Sequence, residues 1–158
     1  MIKKPRIKFF TTGGTIASVK TERGLTPGIS GRNILSYVPE LSRFDIEVTE
    51  LFLKDSTDIH LYDHKKIVKN AFDARKQGYD AVVISIGTDT MVNAAASITF
   101  MIPFKDFPIL TVGSMYPINV KGTDAKQNLL AAFYFASEGI PGTYIACNNG
   151  KIMRATRA

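Results

Sequence analysis

The stretch "AVVISIGTDT", residues 81–90, decides the fold. Its first six residues form an almost unbroken apolar, β-branched run, the pattern of a strand buried on both faces. Gly87, Thr88, Asp89 and Thr90 follow at once, so a glycine, two hydroxyls and a carboxylate stand at the strand's carboxyl end. A helical stretch over 91–101 comes next.

The same unit recurs on either side. Residues 8–12 read as a first strand, ending in "TTGGT". Residues 45–53 start with period-2 alternation, suit a second strand and lead into "KDSTD". "FPILTVG" is a further strand ending in "GSM", "DAKQNLLAAFYFASEG" a helix and "TYIAC" a strand. Between them, residues 19–30 read as a mobile surface loop, and a short helix starts near Asn33 and is stopped or bent by Pro39. Asp58 is a candidate N-cap for a helix whose stripe is Leu61, Ile67, Val68, Ala71 and Phe72, with Gly78 ending it. Strand–helix alternation with short connections predicts a three-layer α/β fold, a mainly parallel sheet with flanking helices. In such sheets ligands bind beyond the carboxyl ends of the strands, where these polar runs fall.

The chain has 158 residues, 45% hydrophobic, enough for one domain with a core needing no disulfides. One cysteine and two histidines leave no disulfide framework and argue against a structural zinc site. His60 and His64 share i,i+4 spacing without the HExxH pattern, and read as surface or interface residues. The net charge of +6 comes from scattered positions such as Lys3-Lys4, Lys65-Lys66 and Arg75-Lys76, not from a basic run interleaved with aromatics. Nucleic acid is therefore not the expected partner. With no long apolar run and no signal-peptide pattern, the expectation is a cytoplasmic protein without a membrane partner.

Gly13-Gly14-Thr15 matches neither the dinucleotide fingerprint nor the phosphate loop. Taken singly, Thr15, the 87–90 run and the 55–58 run each have a plainer explanation as turns and helix caps. Together they describe a small polar pocket suited to a zwitterion. Carboxylates would meet its ammonium, while hydroxyls and backbone N–H groups meet its carboxylate.

"TTGGTIAS" and "ISIGTDTM" resemble the two signature segments of the bacterial-type L-asparaginases, threonine-dependent amidohydrolases. The resemblance continues through "VPEL", "DSTD", "ILTVGSM" and "DAKQNL", and so covers essentially the whole chain. It implies a Rossmann-like N-terminal domain and hydrolysis of L-asparagine through a threonine acyl-enzyme, with no cofactor or metal. Thr15 matches the nucleophile, Thr88 the second essential threonine, and Asp89 the acid that binds the ammonium within a Thr–Lys–Asp array. Ser56 matches the residue gripping the α-carboxylate, with Thr57 beside it. Gly14 and Gly87 join the substrate-binding set, and amides near Thr88 and Ser114 would form the oxyanion hole. Homo-oligomers are also implied.

Three departures stand out. Leu25 occupies the place of a loop tyrosine, Ile86 that of a histidine, and the lysine of the array would fall two residues past Ala158. The family's C-terminal domain is absent from these residues, so the sequence reads either as a short member or as part of a longer chain. Alternatives are an inactive module binding aspartate or asparagine, and the glutaminase-type amidase subunit of a tRNA-dependent amidotransferase.

Overall fold

The computed structural model describes residues 4–22 and 24–158; Lys3, and Arg23 within the 19–30 segment, lie outside them. The elements run β1 (Arg6–Gly13), β2 (Ser18–Thr21), β3 (Gly24–Pro27), α1 (Gly31–Ser36), β4 (Asp45–Lys54) and α2 (Leu61–Lys76). They continue as β5 (Ala81–Ser85), α3 (Thr88–Met101), β6 (Pro108–Val112), α4 (Ala125–Ser137), β7 (Gly142–Cys147) and β8 (Lys151–Arg154).

Six strands form one sheet in the order β4-β1-β5-β6-β7-β8. All neighbouring pairs are parallel except β7–β8. Helices cover both faces, and the three-layer α/β expectation holds. On one face Ile7, Phe9, Val83 and Leu110 pack against Ile34 of α1 and Leu129 and Phe133 of α4. Phe9 and Phe133 meet edge to face at 5.4 Å. On the other face Phe10, Ile84 and Ile109 pack against Ile67 and Ala71 of α2 and Ile98 of α3. Each of these buried Ile, Leu, Val and Phe side chains contributes roughly 1.5–3 kcal/mol, which accounts for a core without covalent staples. Among the described residues no helix is long and apolar enough to cross a membrane.

The strand order locates the crevice. From β1 the chain moves outward to β4 at the edge; from β5 it moves the other way, to β6. The loops after β1 and β5 therefore diverge from neighbouring strands, which makes a topological switch point.

Several local expectations needed correction. Residues 19–30 are not simply loop: β2 and β3 form an antiparallel ribbon in which Lys20 faces Leu25. Its anchor is the Ala17 carbonyl, which accepts from Gly28 and Ile29 N–H, both at 2.8 Å. Asp58 ends a short 3-10 turn, Ser56–Asp58, and the N-cap of α2 is His60 instead. Asp63, three residues on, accepts from His60 N–H at 3.0 Å. Leu61 is 60% exposed, because the stripe that reaches the sheet runs through His64, Ile67, Ala71 and Ala74. His64 is accordingly buried rather than a surface residue. Helix α3 starts at Thr88, three residues earlier than expected, since extended Gly87 already serves as its N-cap. Strand β8 escaped the reading although "NNG" marks its turn; Asn148 and Asn149 adopt φ of 48° and 58°.

Candidate active site

The carboxyl ends of β1 and β5 come together through backbone. A Cβ on Gly14 would lie 2.5 Å from Gly87 Cα, so only glycine allows this approach. Gly14 also has φ 77° and ψ 179°, a conformation essentially reserved for glycine. Its N–H donates to Lys54 O at 3.2 Å, which ties the β1 loop to the end of β4. A Cβ on Gly87 would lie 2.4 Å from Ser56 Cβ, and Thr90 Oγ1 donates to Ser56 O at 3.1 Å. The turns carrying Thr15, Ser56 and Thr88 are thus one packed unit.

Thr15 opens a 3-10 turn, Thr15–Ala17, braced by Ala17 N–H and Ser18 Oγ donating to Gly14 O at 3.1 and 2.9 Å. Thr15 and Thr88 are half-buried and Asp89 is exposed. Ser56 is 5% exposed. Among the described residues, no hydrogen bond engages the side chains of Thr15, Ser56, Thr88 or Asp89. The capping explanation for Thr88 and Asp89 therefore fails, because α3 has no side-chain cap.

Two other sequence candidates are already committed. Thr57 donates both N–H and Oγ1 to Asp55 Oδ1, at 3.0 and 2.9 Å. Those two bonds hold the Asp55 carboxyl below its ordinary range, against the opposing effect of burial. Ser114, 1% exposed, donates Oγ to Tyr116 O at 2.6 Å, which leaves its backbone for any ligand.

A cleft of about 480 Å³ lies beside Thr88, lined by Met91, Ser114, Met115, Asp124 and Asn148 among others. Thr88 and Ser114 border it, whereas Thr15, Ser56, Thr57 and Asp89 do not. Thr88 thus belongs both to the packed glycine junction and to the cleft wall. Within that wall, Cys147 has its thiol pushed up by burial and by Asp124, with Lys151 acting the other way.

Beneath the Gly14 turn, Lys54 Nζ bonds both oxygens of Asp63, at 2.8 and 2.9 Å. Burial works to raise the Asp63 carboxyl, but the His60 N–H and Lys54 outweigh it and the net shift is down. Both ring nitrogens of neighbouring His64 are buried without a partner. Burial pushes that imidazole toward its neutral form, and Asp63 only partly opposes this. Sequence reasoning missed Lys54, Asp63 and Asn128 as supports, since a polar residue on an inward helix face is invisible until the face is known.

The family model described as Asparaginase, N-terminal matches residues 6–158. The L-asparaginase of Thermococcus kodakarensis is 40% identical over 149 residues, covering 92% of this chain and 44% of that protein. A glutamyl-tRNA(Gln) amidotransferase component of Methanopyrus kandleri is 33% identical over 153 residues, covering 94% of this chain and 33% of that one. In structure, the thermostable L-asparaginase from T. kodakarensis superposes with a TM-score of 0.85 at 38% identity, over 96% of this chain and 46% of that chain. L-asparaginase I from Vibrio cholerae gives 0.82 at 28% identity, over 98% and 48%. The chain therefore spans less than half the length of each of these relatives. With the switch-point crevice, both threonine turns and this match along nearly its whole length, the chain belongs to the asparaginase family, as its N-terminal domain.

Proposed function

We propose that the protein hydrolyses the side-chain amide of L-asparagine, with Thr15 as the nucleophile. The observation that carries this reading is the unengaged hydroxyl of Thr15, held on a turn locked against Gly87. A module that only bound aspartate would have no need of it. Thr15 Oγ attacks the amide carbon and its proton passes to a base; the base returns that proton to the departing nitrogen, the C–N bond breaks, and ammonia leaves an aspartyl ester on Thr15. Water then cleaves the ester, releasing L-aspartate and restoring the hydroxyl.

A threonine hydroxyl is a poor nucleophile until a base takes its proton. Thr88, Asp89 and the lysine that the family resemblance implies make up that array. Nearby, the turn Ala155–Arg157 packs Ala155 against Ile86 and against Met91 and Ala94 of the helix that carries Thr88 and Asp89. Ser56 receives the substrate's α-carboxylate and Asp89 its ammonium; Thr57 takes the neighbouring carboxylate contact by exchanging its Oγ1 bond to Asp55 for one to the substrate. Gly14 and Gly87 contribute backbone contacts. Backbone amides near Thr88 and Ser114 face the developing oxyanion, where one donor is worth about 3 kcal/mol.

We treat this as a cytoplasmic reaction of a homo-oligomer; the free Cys147 suits a reducing compartment. The amidotransferase relative favours a second reading, in which glutamine supplies the ammonia. The test is ammonia release by the full-length protein from L-asparagine and from L-glutamine. A higher kcat/KM on asparagine with stoichiometric aspartate supports the first reading. Preference for glutamine supports the second, and release from neither refutes both.

A further inference from the structure

Asn128 lies on α4, has been given no catalytic or binding role above, and is fully buried. Its amide makes three bonds that leave no donor idle. Nδ2 donates to Gly113 O at 2.9 Å and to Asp124 Oδ2 at 2.9 Å, while Oδ1 accepts from Gly150 N–H at 2.8 Å. The partners fix the orientation of the amide, because a carbonyl and a carboxylate demand its NH2 side and an N–H demands its oxygen.

These bonds reach two walls of one cleft. Gly113 precedes Ser114, and Gly150 closes the turn that carries Asn148 and Asn149. Asp124, oriented by Asn128, accepts in turn from Met115 N–H at 3.1 Å and Tyr116 N–H at 3.2 Å. The stretch 113–116 is therefore held at Gly113 O by Asn128 and at two N–H groups by Asp124. Its position against Thr88 is tight, since a Cβ on Gly113 would meet Thr88 Cγ2 at 3.3 Å and Ile86 O at 2.8 Å. An apolar side chain could fill a helix position in the core. A buried amide with three specific bonds instead defines one geometry.

We infer that Asn128 is a positioning residue, which acts through Gly113 to set the Ser114 backbone against Thr88. The inference rests on the proposed amide hydrolysis for its catalytic meaning. Ser114 faces the reacting amide rather than the α-carboxylate, so displacement of this wall acts on the transition state more than on binding. Misplacement by about 1 Å costs up to about a hundredfold in rate.

The test uses the full-length protein, Asn128→Asp and the exchanged pair Asp124→Asn with Asn128→Asp. The single variant sets two carboxylates together and removes the donor to Gly113. The acceptor for Gly150 is kept in both variants; the exchanged pair restores the bond between the two side chains, yet still leaves Gly113 O without its donor. The expected result is that exchange recovers Tm while kcat stays about tenfold down or more, with KM unchanged. Backbone order parameters at Gly113 and Ser114 fall from about 0.85 to below about 0.6 in both variants. Recovery of kcat together with Tm would make Asn128 a purely structural residue and overturn the inference. Order parameters that stay at the wild-type value would do the same. If the wild-type protein releases no ammonia from either amide, the proposed function fails, and the order parameters alone decide whether Asn128 fixes this wall.

Discussion

Gly14 and Gly87 touch backbone to backbone, and that contact joins the two turns on which the threonines stand. A side chain on Gly14 has no room, at 2.5 Å from Gly87 N and Cα, and the φ of 77° penalises any Cβ independently. Gly14→Ala should cost about 1–3 kcal/mol from backbone strain alone. It should also abolish turnover, because relief of the clash moves Thr15 away from Thr88. Chemical denaturation and ammonia release on the same sample check both.

Lys54 links the floor of the site to α2. Replacing it with methionine leaves Asp63, 4% exposed, with the His60 N–H but no cation. The loss should be on the order of 2 kcal/mol, between the surface and buried limits for ion pairs, because the lysine side chain is 38% exposed. A urea melt at neutral pH measures it, and Asp63→Asn should lose a comparable amount.

His64 gives the stability curve an acid slope. Its folded pKa is depressed by burial, so the unfolded chain takes up the proton first as pH falls below about 6.5. Stability is full above that value and declines below it, well before pH reaches the ordinary carboxylate range, where the unfolded chain's Asp55 and Asp63 begin to take up protons that the folded protein's do not. His64→Leu removes the slope that sets in below about pH 6.5, and costs no hydrogen bond, since neither ring nitrogen has one. Denaturant midpoints at pH 5, 6 and 7.5 for both proteins test this. An unchanged slope in the leucine variant would contradict it.

Leu25 is half exposed on β3, paired with Lys20 across the ribbon, and is free to be enlarged. Leu25→Tyr, which restores the residue type implied by the family resemblance, should lower KM for L-asparagine with Tm within about 1 °C, as for other surface changes. No change in KM would remove the ribbon from substrate closure.

The sheet was legible because each strand carries its own mark. "AVVIS" is apolar enough to be central, while residues 45–49 alternate on β4, an edge strand with more exposed positions that pairs only with β1. Thr15, Ser56 and Thr88 were legible as polar residues placed at strand ends. Their spatial union was not, since it depends on which backbones touch, and no sequence pattern states that Gly14 meets Gly87. Nor could the sequence show that Thr57 and Ser114 spend their hydroxyls on Asp55 and Tyr116. Leu61 misled because an apolar residue at a helix's first turn looks like core when the helix axis is unknown. Asn128 and His64 were hidden for the opposite reason, as polar side chains turned inward.

The central claim is that Thr15 is the nucleophile, and its removal tests this most directly. Its hydroxyl has no partner among the described residues, so Thr15→Ala should leave stability within about 0.5 kcal/mol of wild type. Ammonia release from L-asparagine, measured beside a melt that establishes equal folding, should fall by at least about 10³-fold. A folded Thr15→Ala protein that keeps turnover within about tenfold of wild type would contradict the assignment and move the chemistry to another hydroxyl, with Thr88 the first to examine.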